Sequence, residues 1–503
     1  MQYGVNITTP VSKLRPGTAW VAINWELPPL GGYRTLMGYE RYDGQPSPSL
    51  GADAEEIATR RTAIQRVPGS GPVRGVFVLK GIRYAFRNTA DGLNKRLYKA
   101  TSTGWELVTT PTLNPGGYFN WTIANFNGAA AAKALYGCDG VNPAFEFDGT
   151  TFTQIVTGAE PLYPQHIEEH KLHLFLSYAG GSVQFSSPGL PLNYVVADGA
   201  GELAAGDDVF NLVKIKGGVL GVFCRDRIKI LTGSSVLDFD FRDYSETGVR
   251  ENTVQPLFTD AIYIDKQIQM MSSSQKFGDF QSASLSEPIR PLIDASAGQS
   301  EFSLVLPSKN QYILFQGGRR AVITSFNDRK LSGFTTAQFQ HQFVCGGVFD
   351  DDDGREVCYL GTDDGYVMQF NTGTSFDGLD IEVNLQLAPN HLGNFQINKR
   401  FRSITAELDS NVIDQLYVSA EYDYGDSPRN IETLLQNILS GSLFDVAVWD
   451  EAVWSGTLKN YAQVYIAGHG RNISILFYGK SATNQPYTIE QVTLGYDLRG
   501  QIR

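Results

Sequence analysis

The stretch HIEEHKLH places His166, His170 and His173 beside Glu168 and Glu169. Imidazole nitrogens and carboxylate oxygens at this density are the ligands zinc takes, and on a helix His166 and His170 would share a face. The segment runs directly into KLHLFLS (171–177), which reads as a strand, and it lacks the HExxH order of a helical zinc site. The expectation is therefore solvated histidines at the top of a β-sheet unit. A second acidic turn, DDDDGRE (350–356), offers the hard oxygens that suit Ca²⁺, but without the alternation that spreads ligands around an ion. Asp353-Gly354 reads more simply as a hairpin tip between VCGGVF and EVCYL.

FDGTTF (147–152) matches part of the Asp-box turn of sialidases, SxDxGxTW, without its serine or spacing, and reads as an Asp-Gly hairpin. GAGELAAGDD (199–208) is rich in glycine but no helix follows it, so it reads as a loop and not as a phosphate cradle. No GxSxG, Walker A or Rossmann GxGxxG opens a helix anywhere. The sequence yields no catalytic, cofactor-binding or metal-binding residues, and the chain is expected not to be an enzyme.

The elements that would position these residues are strands. VFVLK (76–80), IRYAFR (82–87), RLYKA (96–100) and WELV (105–108) are short Val-, Ile-, Tyr- and Phe-rich runs split by Gly and Asp turns, an antiparallel meander. The same arrangement returns in units starting at 76, 118, 167, 209, 254, 302 and 343, at steps of 41 to 49 residues. One four-stranded propeller blade needs about 40–50 residues. The reading is an all-β chain with a β-propeller of six to seven blades over residues 71–375. A pair of β-sandwiches built from the same meanders is the alternative.

The flanks differ. Residues 1–70 read as an extended prolyl strap laid over another surface, GGYRTLMGYERYDGQPSPS (31–49), with a short helix within 52–67. Residues 376–503 carry longer alternating strands, at 380–388, 400–408, 414–424, 463–470, 472–479 and 487–498, and a helical spacing in IETLLQNILSG (431–441). This reads as a β-sandwich-like domain.

Composition narrows the function. The chain has 503 residues, 52 glycines, 12% aromatic and 19% charged residues, and a net charge of -12. An acidic surface disfavours a dedicated nucleic-acid binder, because affinity for DNA comes largely from neutralising phosphates. Cys138, Cys224, Cys345 and Cys358 have no paired spacing and read as free, mostly buried thiols of a protein folded in a reducing cytosol. No apolar leader opens the sequence and no run has the length of a membrane span, so a soluble protein is expected.

GGYRTLMGYERYDGQPSPS (31–49), HKLHLFLSYAGGSVQFSSPGLPLNY (170–194), GVLGVFCRDRIKILTGSS (218–235) and ETGVRENTVQPLFTDAIYIDKQIQMMS (246–272) together resemble the tail nozzle proteins of short-tailed bacteriophages, also called tail tubular or stabilisation proteins. IEVNLQL, RFRSITAEL and the closing YTIEQVTLGYDLRGQIR fit the same pattern. The resemblance implies a structural virion protein made in the host cytoplasm. It implies a ring, usually a homohexamer, below the portal and adaptor, around a channel that holds the genome and releases it at ejection. The implied partners are further copies through the 31–49 strap, the adaptor or portal, tail fibres, and double-stranded DNA passing without sequence-specific binding. No cofactor and no membrane insertion are implied. The alternatives are a glycan-active tail propeller, depolymerase- or sialidase-like, and a carbohydrate-binding propeller.

Overall fold

The computed structural model describes residues 4–126, 128, 132–160, 162–215, 218–271, 284–299, 301–351, 353–409, 415–425, 433–435 and 459–501. Seven small antiparallel meanders follow one another along the chain, six as separate small sheets and one within a larger sheet. Blade 1 is Ser70–Leu79, Ile82–Asn88, Lys95–Thr101 and Gly104–Leu113. Blade 2 runs from Asn120–Ala124 to Phe152–Gln154, and blade 3 from His166–His170 through His173–Ser177 and Ser182–Phe185 to Gly201–Ala204. Blade 4 holds Val209–Ile215, Val219–Cys224, Ile228–Thr232 and Asp240–Ser245. Blade 5 has three described strands, Gln255–Leu257, Asp260–Ile264 and Ile268–Met270, with Ser284 bridged to Gln269. Blade 6 spans Phe302–Leu306 to Lys330–Gln338, and blade 7 contributes Phe343–Asp350, Glu356–Thr362 and Val367–Phe370.

The first strands of blades 2 to 7 pack in turn against one another, and that of blade 7 packs on that of blade 1. Blades 1 and 2 meet through Phe77 and Phe86 against Phe119, Phe145 and Phe147, aromatic pairs 5.1 to 6.2 Å apart. The seven meanders thus fan around one axis, with apolar residues of each sheet pressed on the next, and the chain is an all-β propeller.

The propeller is closed by the amino-terminal segment. Strand β4 (Tyr39–Tyr42) is the fourth strand of blade 7, with Phe370 opposite Tyr39 and Val367 opposite Tyr42. This corrects the expectation that 31–49 lies over another surface: Tyr39 is fully buried, stacked on Phe376 at 4.8 Å. Its hydroxyl accepts from the backbone N–H groups of Gln340 and His341. Arg41 clamps the strand by donating from Nε to both oxygens of buried Asp377, at 3.1 and 3.0 Å. Gly38 lets the backbone enter, since a Cβ there would lie 2.1 Å from the Ser375 carbonyl oxygen. Two unlike chain segments completing one sheet tie the ring shut without a covalent link.

The preceding strands β1 (Ala19–Ile23), β2 (Trp25–Glu26) and β3 (Tyr33–Thr35) belong to the carboxy-terminal sandwich. Strand β1 lies between Lys330–Gln338 of blade 6 and Ile381–Leu387, so that blade 6 and one sandwich sheet become a single nine-stranded sheet. The second sandwich sheet is β2, β3, Thr488–Gln501, Ile397–Asp409 and Lys459–Gly470. Fully buried Trp25 meets Tyr487 edge-on between the two sheets, at 5.8 Å. One apolar core runs from the sandwich into blades 5, 6 and 7.

The expected short helix is α1 (Ala54–Ala63), capped by the Asp53 carboxylate accepting from the Glu56 N–H. The helical spacing expected over 431–441 is corrected where it is described: Thr433–Leu434 is a strand paired with Tyr417 and Val418. The rest of that stretch lies outside the described residues. A helix not anticipated, α2 (Arg290–Ser296), joins blades 5 and 6. Among the described residues no helix is long and apolar enough to cross a membrane.

Candidate functional site

The histidine motif is strand, not helix. His166–His170 is the axis-side strand of blade 3 and pairs with His173–Ser177, with His170 opposite His173 and His166 opposite Ser177. Alternation puts His166, His170 and His173 on the face turned to blade 4, while Ile167, Leu174 and Leu176 pack toward blade 2. The expectation of solvated histidines is corrected, because all three are at most 3% exposed. His173 lies 2.6 Å through Nδ1 from the Ser186 carbonyl oxygen and sits edge-on to Phe239 of blade 4. His166 Nδ1 is 3.2 Å from the Ser177 hydroxyl. Its Nε2, and both ring nitrogens of His170, have no hydrogen-bond partner among the described residues. Burial pushes the imidazoles of His166 and His170 down to about 4, and Lys171 and Lys214 add to the shift at His170.

The two glutamates of the motif point apart. The Glu168 carboxylate accepts from the Thr122 hydroxyl at 2.8 Å and from the Glu169 N–H at 2.9 Å. Burial raises it to about 7 in spite of these bonds. Glu169 is ion-paired with Lys214 of blade 4 at 2.5 Å. They do not form the facing pair of carboxylates that glycoside hydrolysis uses. Among the described residues no three His, Cys, Asp or Glu side chains converge as a metal set.

The remaining motifs stabilise turns. The Asp148 carboxylate accepts from Thr150 and Thr151 N–H groups at 2.7 Å, fixing the hairpin at Gly149. The Asp351 carboxylate accepts from the Asp353 and Arg355 N–H groups, and Gly354 sits at the tip with φ +74. Asp352 lies outside the described residues. The loop expected at 199–208 is corrected in part: Gly201–Ala204 is the outer strand of blade 3, paired with Ser182–Phe185. All four cysteines are free and buried.

Two further features had no sequence signature. A crevice of about 610 Å³ between blades 4 and 5 is lined by Asp226, Glu246, Asp265, Lys266 and Arg290, charges of both signs. Three loop tips gather at the end of blades 3 and 4: Gly189 N–H donates to the Leu172 carbonyl, and Lys171 Nζ donates to the Gly233 carbonyl. They expose Leu172, Leu190, Val196 and Leu237, the last at 94%. Spacing cannot reveal such a patch, because its residues come from separate hairpins.

No family model matches the chain, and no curated protein does. Among solved structures it is similar to YCF48 bound to D1 peptide, at 13% identity, covering 61% of this chain and 96% of that one, with a TM-score of 0.40. It is also similar to virginiamycin B lyase from Staphylococcus aureus, at 10% identity, 61% and 97% coverage and a TM-score of 0.42. A third is BBS1N in complex with ARL6DN, at 10% identity, 62% and 95% coverage and a TM-score of 0.41. All three are β-propeller proteins. The propeller assignment here rests on this chain's own sheets.

Proposed function

We propose that this chain is a structural tail nozzle protein of a short-tailed bacteriophage: a copy of a ring, most simply a hexamer, around the DNA channel below the adaptor or portal. The observation that carries the reading is mechanical. Propeller and sandwich share a nine-stranded sheet and one apolar core, and the amino-terminal segment is threaded through both. Such a body transmits force between its ends without a soft joint, which suits a wall that holds a pressurised genome. The sequence resemblance to nozzle proteins supplies the context.

The net charge of -12 fits the same role. A channel wall that does not neutralise phosphates offers DNA no deep electrostatic traps, so the genome slides. Retention is then steric, and contact with a receptor or fibre shifts the ring toward an open state. The outward propeller gives fibres a docking face, the wall performs no chemistry, and the protein resides in the virion tail.

The test is the size of the purified chain mixed with its neighbouring virion proteins, measured by light scattering. Assembly into a ring is expected, with no release of sugar from host capsule or lipopolysaccharide. A chain that stays monomeric with those neighbours, or that cleaves polysaccharide, refutes the proposal.

A further inference from the structure

We infer that the contact between blades 3 and 4 is an acid-sensitive seam, held shut by neutral His166 and His170 and loosened when they take up protons. The inference is independent of the nozzle reading.

The geometry is specific to this seam. Three imidazoles from two adjacent strands are buried on the face that blade 3 turns to blade 4, with His173 against Phe175, Phe185 and Phe239 and His170 against Phe175. His170 is the extreme case, since neither ring nitrogen has a partner among the described residues, and its ring lies 6.2 Å from Phe175. A proton on either imidazole would place a positive charge in an apolar seam where Glu168, the carboxyl on the same strand face, already accepts from the Thr122 hydroxyl and the Glu169 N–H. Facing charges come from every neighbouring element. Blade 3 brings Glu168, Glu169 and His173, its hairpin turn brings Lys171, blade 4 brings Lys214, and blade 2 offers only the Thr122 hydroxyl. Glu169 is already engaged by Lys214, and the two lysines repel an added cation. Polar straps that cross the seam include Lys214 to Glu169, the Lys214 N–H to the Glu168 carboxylate, and Lys171 to the Gly233 carbonyl.

Glu168 works in the opposite direction. A histidine whose folded value is depressed contributes stability above its unfolded value, and this is lost as pH falls from 6.5 toward 4. A carboxyl whose folded value is raised contributes stability below 4.5, and this is lost as pH rises through 7. Between pH 7 and pH 5 each histidine raises the unfolding constant about 20-fold, and Glu168 lowers it about 40-fold. The pair of histidines therefore exceeds the carboxyl by about 10-fold, and the excess widens below pH 5 as Glu168 saturates. The apolar tips at Leu172, Leu190 and Leu237 straddle this seam, so its opening would part them.

The experiment is urea unfolding of the full chain at pH 7 and pH 5 for the unsubstituted protein, His170→Phe and Glu168→Gln, with hydrogen exchange mapped at pH 5. Relative to the unsubstituted protein, His170→Phe is expected to lose about 20-fold of the acid-induced rise in unfolding, and Glu168→Gln to gain about 40-fold. Exchange should rise first in 166–177 and 209–224. Identical pH responses in the three proteins overturn the inference. Where a variant does not fold, deuteration at histidine C2 in the unsubstituted protein reads the imidazoles directly. Half-titration of His166 and His170 near 4 supports the seam, and half-titration between 6 and 7 overturns it.

Discussion

Replacing Asp377 by Asn tests how the propeller is closed. The Asp377 side chain is 1% exposed and meets Arg41 through both oxygens, with Arg41 Nη2 at 2.5 Å from Oδ2, while Arg61 Nε lies 3.6 Å away. Removing its charge strands the Arg41 guanidinium, which is itself 19% exposed, inside the clamp of β4. Breaking a buried pair by one partner costs about 3–5 kcal/mol. The partial access of Arg41 to water places this case at the lower end, about 3 kcal/mol. The loss should be local first, because β4 holds blade 7 through a single ladder with Val367–Phe370. Urea unfolding gives the magnitude, and hydrogen exchange gives the place. The expected result is faster exchange at 39–42 and 367–370, with blades 2 to 4 unchanged below the global transition. A loss under about 1 kcal/mol, or a uniform rise in exchange over all blades, would refute closure by this strand.

Gly38→Ala should weaken the same closure by about 3 kcal/mol, since the new methyl would overlap the Ser375 backbone at the entry to β4; thermal melting checks this. Lys95→Met should destabilise blade 1 by about 3–5 kcal/mol, because Lys95 is buried against Asp139 and its loss leaves that carboxylate without its cation. Adding Asp139→Leu should recover part of the loss, a comparison made by a double-mutant cycle in urea. The native chain should resist thiol reagents at pH 8, because burial pushes Cys224 and Cys345 up to about 12 and Cys358 higher still. Mass spectrometry after maleimide treatment should find no label in the native protein and four in urea. Tyr39→Ala should cost about 3–5 kcal/mol by emptying the space between Phe376, Phe343 and Phe339.

The blades were legible because each is a local object. Every strand of blade 1 meets its neighbour within one turn, and the alternation in IRYAFR and RLYKA shows in a short window. The fourth strand of blade 7 was not, because its partner lies more than 300 residues away. YERY between Gly38 and Gly44 shows no alternation of its own, and the signal that could have found it is a last unit with only three runs, which needed a fourth from elsewhere. The sandwich strands were legible individually, but not the contribution of β1 to β3, whose two- to five-residue lengths give no period. At the histidines, the run into KLHLFLS correctly signalled a strand, but exposure was misjudged. Polar residues on a strand face read as outward unless the next sheet covers them, and that cover is a tertiary fact. The apolar tips and the crevice between blades 4 and 5 arise from hairpins distant in sequence, so no single motif announces them.

The most direct measurement is electron microscopy of the assembled particle with this chain located in the density. The account predicts a ring of copies around the DNA channel below the portal, each a seven-bladed propeller joined to a sandwich, with the sandwich and propeller in one fixed orientation across copies. A chain found as isolated copies away from the channel, or bound to a cleaved surface glycan, would contradict it.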